Sequence, residues 1–164
     1  MHKDTQSIIH TSIAYTTPQG HADTTTLSTL CQKKPYTILY FYPKDNTPGC
    51  TTEAKEFSQL HNEFNHLTTQ IIGVSKDTHA SHCTFIEQNN LTFPLITDTD
   101  LILHKTFGAW GEKTMYGKVA QGVIRTTVLL DQEGKIIKTR KNVKAVGHAE
   151  KVLAFCLKNT GNSL

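Results

Sequence analysis

The hydrophobic positions of this chain change their period several times, and each change predicts an element. Tyr36 to Tyr42, YTILYFY, is an unbroken run of β-favouring residues, the pattern of a strand covered on both faces. Ile71 to Val74 is a second such run. Between them Ala54, Phe57, Leu60, Phe64 and Leu67 recur at helical spacing and predict an amphipathic helix. A further helix is expected from about His79 to Asn89, a short strand from Phe93 to Thr97, and a helix from about Leu101 to Phe107. Hairpins are predicted at Ser12 to Thr26, turning at Pro18, Gln19 and Gly20, and at Arg125 to Thr139, turning at Gln132, Glu133 and Gly134. The last element is a helix from about His148 to Lys158. Hairpin, strand, helix, strand, helix, strand, helix, hairpin and helix, in that order, give an α/β layered domain with a mixed sheet.

Composition narrows this picture without redirecting it. The 164 residues suit one domain, taken as 1–164 with its core at about 13–157. Seventeen basic against fourteen acidic residues leave a formal charge of +3. The basic cluster of Lys135, Lys138, Arg140, Lys141 and Lys144 has no interleaved aromatics, so it reads as the solvated face of a strand and turn, not as a nucleic-acid surface. No apolar run approaches the ~18 residues of a membrane span, and the N-terminal MHKDTQSIIHTS lacks the apolar core of a signal peptide. The expected location is the cytoplasm. There, four cysteines without a CxxC pair do not read as a disulfide framework, and each has to be judged by its neighbours.

Cys50 has the most informative neighbours. Pro43-Lys44-Asp45-Asn46-Thr47-Pro48-Gly49-Cys50 follows the first buried strand and leads straight into a helix. Thr47 suits the N-cap and Pro48 the first helical position, where the missing amide hydrogen is no loss. Cys50 then falls in the first turn, where free N–H groups and the positive helix end favour a thiolate. It lies four residues before Ala54 and seven before Phe57, on the inward side of the helix. A buried cysteine that merely packs is the bland alternative, and the Thr-Pro-Gly cap argues against it.

Pro43, Thr47 and Cys50 match the Pro-x-x-x-Thr-x-x-Cys signature of peroxiredoxins, and FYPKDNTPGCTTEA resembles the bacterioferritin comigratory protein or peroxiredoxin Q subgroup. Trp110-Gly111-Glu112-Lys113, Met115-Tyr116-Gly117-Lys118 and Gly122-Val123-Ile124-Arg125-Thr126-Thr127 are similar to that subgroup too, and the match runs from about Ile13 to Leu157. The resemblance implies a thioredoxin-like fold, a mixed central sheet flanked by helices, with an N-terminal β-hairpin extension. It implies a peroxidase acting on hydrogen peroxide and organic hydroperoxides, with Cys50 as the peroxidatic residue that becomes a sulfenic acid. Thr47 would hold the peroxide oxygens and the thiolate, Arg125 would face the sulfur, and Pro43 would shield the site from water. Glu53 would either orient Arg125 through a bidentate pair or act as a first-turn acid on the helix dipole. The chemistry requires no metal, haem or flavin.

One departure concerns recycling. Many members of the subgroup carry a resolving cysteine five residues after the first, where this chain has Lys55. Cys83 lies within about one turn of the place where other members carry theirs, so the resemblance implies a Cys50–Cys83 disulfide reduced by thioredoxin or a similar dithiol. The alternatives are a helix residue at the edge of the Cys83, Ile86 stripe, and a one-cysteine peroxidase recycled by an external thiol. A non-catalytic thioredoxin-fold binding or chaperone-like protein is the reading from another class. Cys156, in register with Ala149, Val152 and Leu153, and Cys31, following Leu27 and Leu30, are expected to pack in the core. His79, His82 and Cys83 partly share a helix face but lack the second ligand pair of a zinc site, so they read as solvated helix residues. A monomer or weak dimer is expected.

Overall fold

The computed structural model describes residues 5–160; residues 1–4 and 161–164, at the ends of the expected domain, lie outside them. The helices are α1 (Thr5–Ile8), α2 (Leu27–Cys31), α3 (Pro48–Gln59), α4 (His61–His66), α5 (His79–Asn89), α6 (Ile102–Thr106) and α7 (His148–Asn159). The strands are β1 (Ser12–Thr16), β2 (Ala22–Thr26), β3 (Tyr36–Phe41), β4 (Thr69–Ser75), β5 (Leu95–Thr97), β6 (Trp110–Met115), β7 (Lys118–Val123), β8 (Thr126–Asp131) and β9 (Ile136–Lys141). Seven of them form one mixed sheet in the order β2-β1-β5-β4-β3-β8-β9. Within it β3, β4 and β5 run parallel, while β1 and β8 pair antiparallel to β5 and β3. Among the described residues no helix is long and apolar enough to cross a membrane.

Strand β3 shows why its sequence lacks alternation. Ile38, Tyr40 and Tyr42 enter one core with Phe57, Phe64, Phe85 and Val152, while Leu39 and Phe41 enter a second core with Leu27, Leu30, Ile72 and Leu103. Both faces of the strand are covered, so from Ile38 to Tyr42 every position is aliphatic or aromatic, while the buried hydroxyl of Thr37 accepts from Gln70 Nε2. Tyr40 stacks on Phe57 with ring centroids 4.6 Å apart, which fixes α3 over the C-terminal half of β3.

The single helix expected from the stripe Ala54 to Leu67 is two. Leu60 leaves helical geometry at φ −96 and ψ 13, ending α3 and opening α4, yet the stripe still faces the core. Strand β5 begins at Leu95 and not at Phe93, because Pro94 between them has no N–H to give to a ladder. Strands β6 and β7 pair with each other outside the main sheet and were not predicted from the hydrophobic pattern. Most of β7 is exposed, which removes the apolar signal, and the turn places Tyr116 and Gly117 at φ 54 and 77. Arg125, the first residue of the second predicted hairpin, instead stands in a short link between β7 and β8, just before the observed β8–β9 hairpin.

Candidate functional site

The C-terminal end of β3 delivers the chain into the loop Pro43 to Thr47 and then into α3. Thr47 has the extended backbone of an N-cap, at φ −88 and ψ 154, and Pro48 stands at the start of the helix. Cys50 is the third residue of α3 and 1% exposed. Its sulfur faces Arg125, whose Nη2 lies 3.0 Å from Sγ. The other terminal nitrogen, Nη1, donates to Glu53 Oε1 at 2.7 Å. One guanidinium therefore spans a thiol and a carboxyl group three residues apart on the same helix face.

The expected bidentate Glu53–Arg125 pair is not formed, because the second nitrogen is taken by sulfur. Glu53 Oε2 is buried without a hydrogen-bond partner. The reading of Glu53 as a first-turn acid also fails, since the residue lies in the second turn and its side chain is 1% exposed. Burial pushes this carboxyl up to about 8, against the pull of Arg125, with Glu56 adding to the rise.

Close approach of the guanidinium depends on Gly49. A Cβ there would lie 3.0 Å from Arg125 Nη2 and 3.6 Å from the Ala145 methyl. Thr47 departs from expectation in its side chain. Its hydroxyl makes no cap bond and donates instead to the Lys44 carbonyl at 2.8 Å, closing the tight loop in which Asn46 takes φ 61. The hydroxyl proton is thereby committed, and the oxygen can act only as an acceptor. Pro43 is half-buried between Tyr42 and this loop.

A polar cluster clamps the loop to α5. Asp45 Oδ1 accepts from Tyr42 at 2.6 Å, while Oδ2 accepts from Ser81 at 2.8 Å and pairs with His82 Nδ1 at 2.7 Å. His82 Nε2 faces the Ile96 carbonyl at 3.2 Å, so this histidine is buried and not solvated as expected. Asp45 and the carbonyl stand against the two ring nitrogens, so the polar edge of the buried ring faces polar groups.

Cys83, on α5, is half-buried and its sulfur lies 3.4 Å from the Gly20 carbonyl and 3.3 Å from His79 Nε2. It is a free thiol, as is Cys50, and the two sulfurs contact different groups. Cys31 and Cys156 are buried, and burial pushes their thiols up to about 11 and about 12. Both act as core residues, as their spacing predicts. Sequence reasoning missed two participants, Asp45 and the space required at Gly49. It placed His79 and Cys83 partly on one helix face, as their i to i+4 spacing dictates, but read the histidine as solvated where it lies 3.3 Å from the Cys83 sulfur.

The AhpC/TSA family model matches residues 10–139. The chain belongs to the AhpC/TSA family. Among its relatives, the peroxiredoxin Bcp of Xanthomonas campestris is 45% identical over 117 residues, covering 71% of this chain and 73% of that protein. The peroxiredoxin Bcp of Bacillus subtilis is 44% identical over 133 residues, covering 81% and 83%. In three dimensions the chain is similar to the Xanthomonas campestris bacterioferritin comigratory protein, studied for alkyl peroxide reduction, with a TM-score of 0.84 at 36% identity over 94% of both chains. A PrxQ variant from Xylella fastidiosa gives a TM-score of 0.83 at 37% identity, covering 95% of this chain and 92% of that one. This peroxiredoxin thus has the thioredoxin-like fold and the subgroup that its sequence implied, and it is a thiol-dependent peroxidase.

Proposed function

We propose that Cys50 is the peroxidatic residue, attacking the terminal oxygen of hydrogen peroxide or an organic hydroperoxide. A sulfur–oxygen bond forms as the oxygen–oxygen bond breaks, giving a Cys50 sulfenic acid and releasing water or an alcohol. The observation that carries this reading is the 3.0 Å contact of Arg125 Nη2 with the Cys50 sulfur. An ordinary thiol is about 3% ionised at pH 7, so complete ionisation accelerates attack by at most about thirty-fold. The remaining acceleration requires groups that act on the leaving oxygen, and Arg125 is the cation within reach. Glu53 holds the guanidinium from its far side. Thr47, with its proton on Lys44, would accept the hydrogen of the bound hydroperoxide, and Pro43 would limit water at the mouth. Organic hydroperoxides are included because the Xanthomonas relative was studied for alkyl peroxide reduction.

Recycling proceeds, in the same reading, through a Cys50–Cys83 disulfide that thioredoxin or a similar dithiol reduces. Because a disulfide requires Cα atoms within about 7 Å and Cys50 is buried against Arg125, the first turn of α3 must unwind before the sulfurs meet. Pro48 gives no amide hydrogen bond to that turn and Gly49 no side-chain packing, which lowers the cost of opening. The protein would act as a cytoplasmic monomer or weak dimer.

The test is peroxide consumption coupled to thioredoxin and its reductase. Wild type should turn over and Cys50→Ser should not, because a serine hydroxyl remains protonated. Turnover by that variant would remove the assignment. Peptide mapping under non-reducing conditions, after one equivalent of peroxide, should recover the Cys50–Cys83 cross-link.

A further inference from the structure

The thiol of Cys83 has a companion that the peroxidatic site lacks. His79 opens α5 and stands one turn before Cys83, so the two side chains meet on one face. His79 Nε2 lies 3.3 Å from Cys83 Sγ, and Nδ1 lies 2.7 Å from Thr16 Oγ1, a buried hydroxyl on β1. With Nδ1–H donated to the threonine oxygen, Nε2 is left as the basic nitrogen. The sulfur lies against the ring, 3.3 Å from Nε2 and 3.8 Å from Nδ1, and rotation about its Cβ–Sγ bond turns the thiol hydrogen from the Gly20 carbonyl, 3.4 Å away, toward Nε2. Nucleophile, base and a third group that orients the base are the parts of an activated thiol.

We infer that His79 is the base that deprotonates Cys83 in the resolving step, with Thr16 as the positioning residue that sets its ring. This rests on the reading of Cys83 as the resolving thiol. The Cys83 proton passes to His79 Nε2, and the thiolate attacks the sulfur of the Cys50 sulfenic acid. The disulfide forms as the sulfur–oxygen bond breaks, and the departing hydroxide takes the proton from the imidazolium and leaves as water. The only oxidant needed is the peroxide already consumed at Cys50.

Placement on α5 matters for this step. The Arg125 guanidinium that serves Cys50 comes from the β7–β8 link and does not travel with an unwinding α3. His79 is fixed to the same helix as Cys83 and remains beside it when Cys50 arrives. Because an unassisted thiol is about 3% ionised at pH 7, a base at this position accelerates resolution by at most about thirty-fold, and the advantage vanishes once the thiol ionises unaided. The other ionisable groups lining the hollows at His79 and Cys83 are Tyr15 and Asp23, on the hairpin, and Glu87, on α5. They are common to wild type and variants, so a comparison isolates the ring.

Two measurements on the full chain test the inference between pH 6 and 10. In a Cys50→Ser background, alkylation of Cys83 by iodoacetamide, read by mass spectrometry of its peptide, should slow about tenfold at pH 7 in His79→Gln and converge with His79 by pH 10. With Cys50 present, formation of the Cys50–Cys83 disulfide after one equivalent of hydrogen peroxide should slow by a similar factor with the same pH profile. Thr16→Val should shift both in the same direction by a smaller factor. A purely structural role would lower rates at every pH alike and so overturn the inference, as would equal rates for His79→Gln and wild type. A wild type that forms no disulfide overturns the resolving role of Cys83 and the inference with it, a result distinct from rates that ignore His79.

Discussion

A Cβ on Gly49 would stand 3.0 Å from Arg125 Nη2, the same nitrogen that lies 3.0 Å from the Cys50 sulfur. The residue between Pro48 and Cys50 is therefore bare because the guanidinium occupies the space. Gly49→Ala should push Arg125 back by a few tenths of an ångström and slow the reaction of Cys50 with peroxide by about tenfold, since small misplacements at a reacting centre are costly. Stability should hold or rise, because alanine is favoured over glycine in a helix by about 1 kcal/mol. Stopped-flow peroxide kinetics and thermal unfolding separate the two effects. A wild-type rate in a folded Gly49→Ala protein would show that the close approach has no part in the reaction.

Arg125→Lys preserves the charge and removes the fork. A single ammonium cannot donate to Glu53 Oε1 and face the Cys50 sulfur in the geometry that two guanidinium nitrogens allow. We expect a fall in the second-order rate with hydrogen peroxide of about a hundredfold, the order found when one transition-state donor is lost. Arginine-like kinetics from the lysine variant would mean that charge alone suffices.

Most of the fold was legible in the residues whose environment repeats. Strand β3 announced two covered faces, and α5 begins and ends as expected because Thr78 caps it and Asn90 closes it in a left-handed conformation. Elements without a buried face, such as the β6–β7 hairpin, left no hydrophobic period to read. Within the site, Cys50 could be placed on the first turn of a helix from Thr47 and Pro48. The path of Arg125 to it spans 75 residues of sequence and is set by sheet order, which no local pattern encodes. His82 was misread for the same reason: its acceptor Asp45 arrives from 37 residues away.

His148 should give the protein an acid limit of stability. Its Nε2 meets Thr127 Oγ1 at 2.7 Å, and its ring stands edge-on to Phe57 with centroids 6.1 Å apart. Burial, and then the charges of Lys151, Arg125 and Arg140, push the imidazole down to about 4. Between about 6.5 and 4 the unfolded chain therefore binds the proton more readily, and stability falls as pH falls, by up to about 1.4 kcal/mol per pH unit. In urea unfolding at pH 7, 6, 5 and 4, His148→Gln should gain on wild type as the pH falls, by up to that amount per unit, and the comparison cancels slopes common to both proteins, that of Glu53 included. Parallel slopes would place the acid limit elsewhere.

Glu53 should act with the opposite sign. Its carboxyl is held up to about 8 in the folded protein, whereas an unfolded glutamate ionises near about 4.3. Between those values the folded state keeps a proton that the unfolded state has released, so stability is lost as pH rises toward 8. Below about 6.5 this slope is offset by the rising contribution of His148, and the range from 6.5 to 8 isolates Glu53. Glu53→Gln cannot ionise, while its carbonyl oxygen still accepts from Arg125 Nη1, so the variant should gain on wild type across that range by up to about 1.4 kcal/mol per pH unit. Chemical unfolding of both proteins at pH 6.5, 7.25 and 8 provides the comparison. A constant difference between them would mean that the buried carboxyl is already ionised at pH 6.5, with Arg125 outweighing burial. The guanidinium facing Cys50 would then be neutralised on its other side throughout the neutral range, and its pull on the leaving oxygen would be correspondingly weaker.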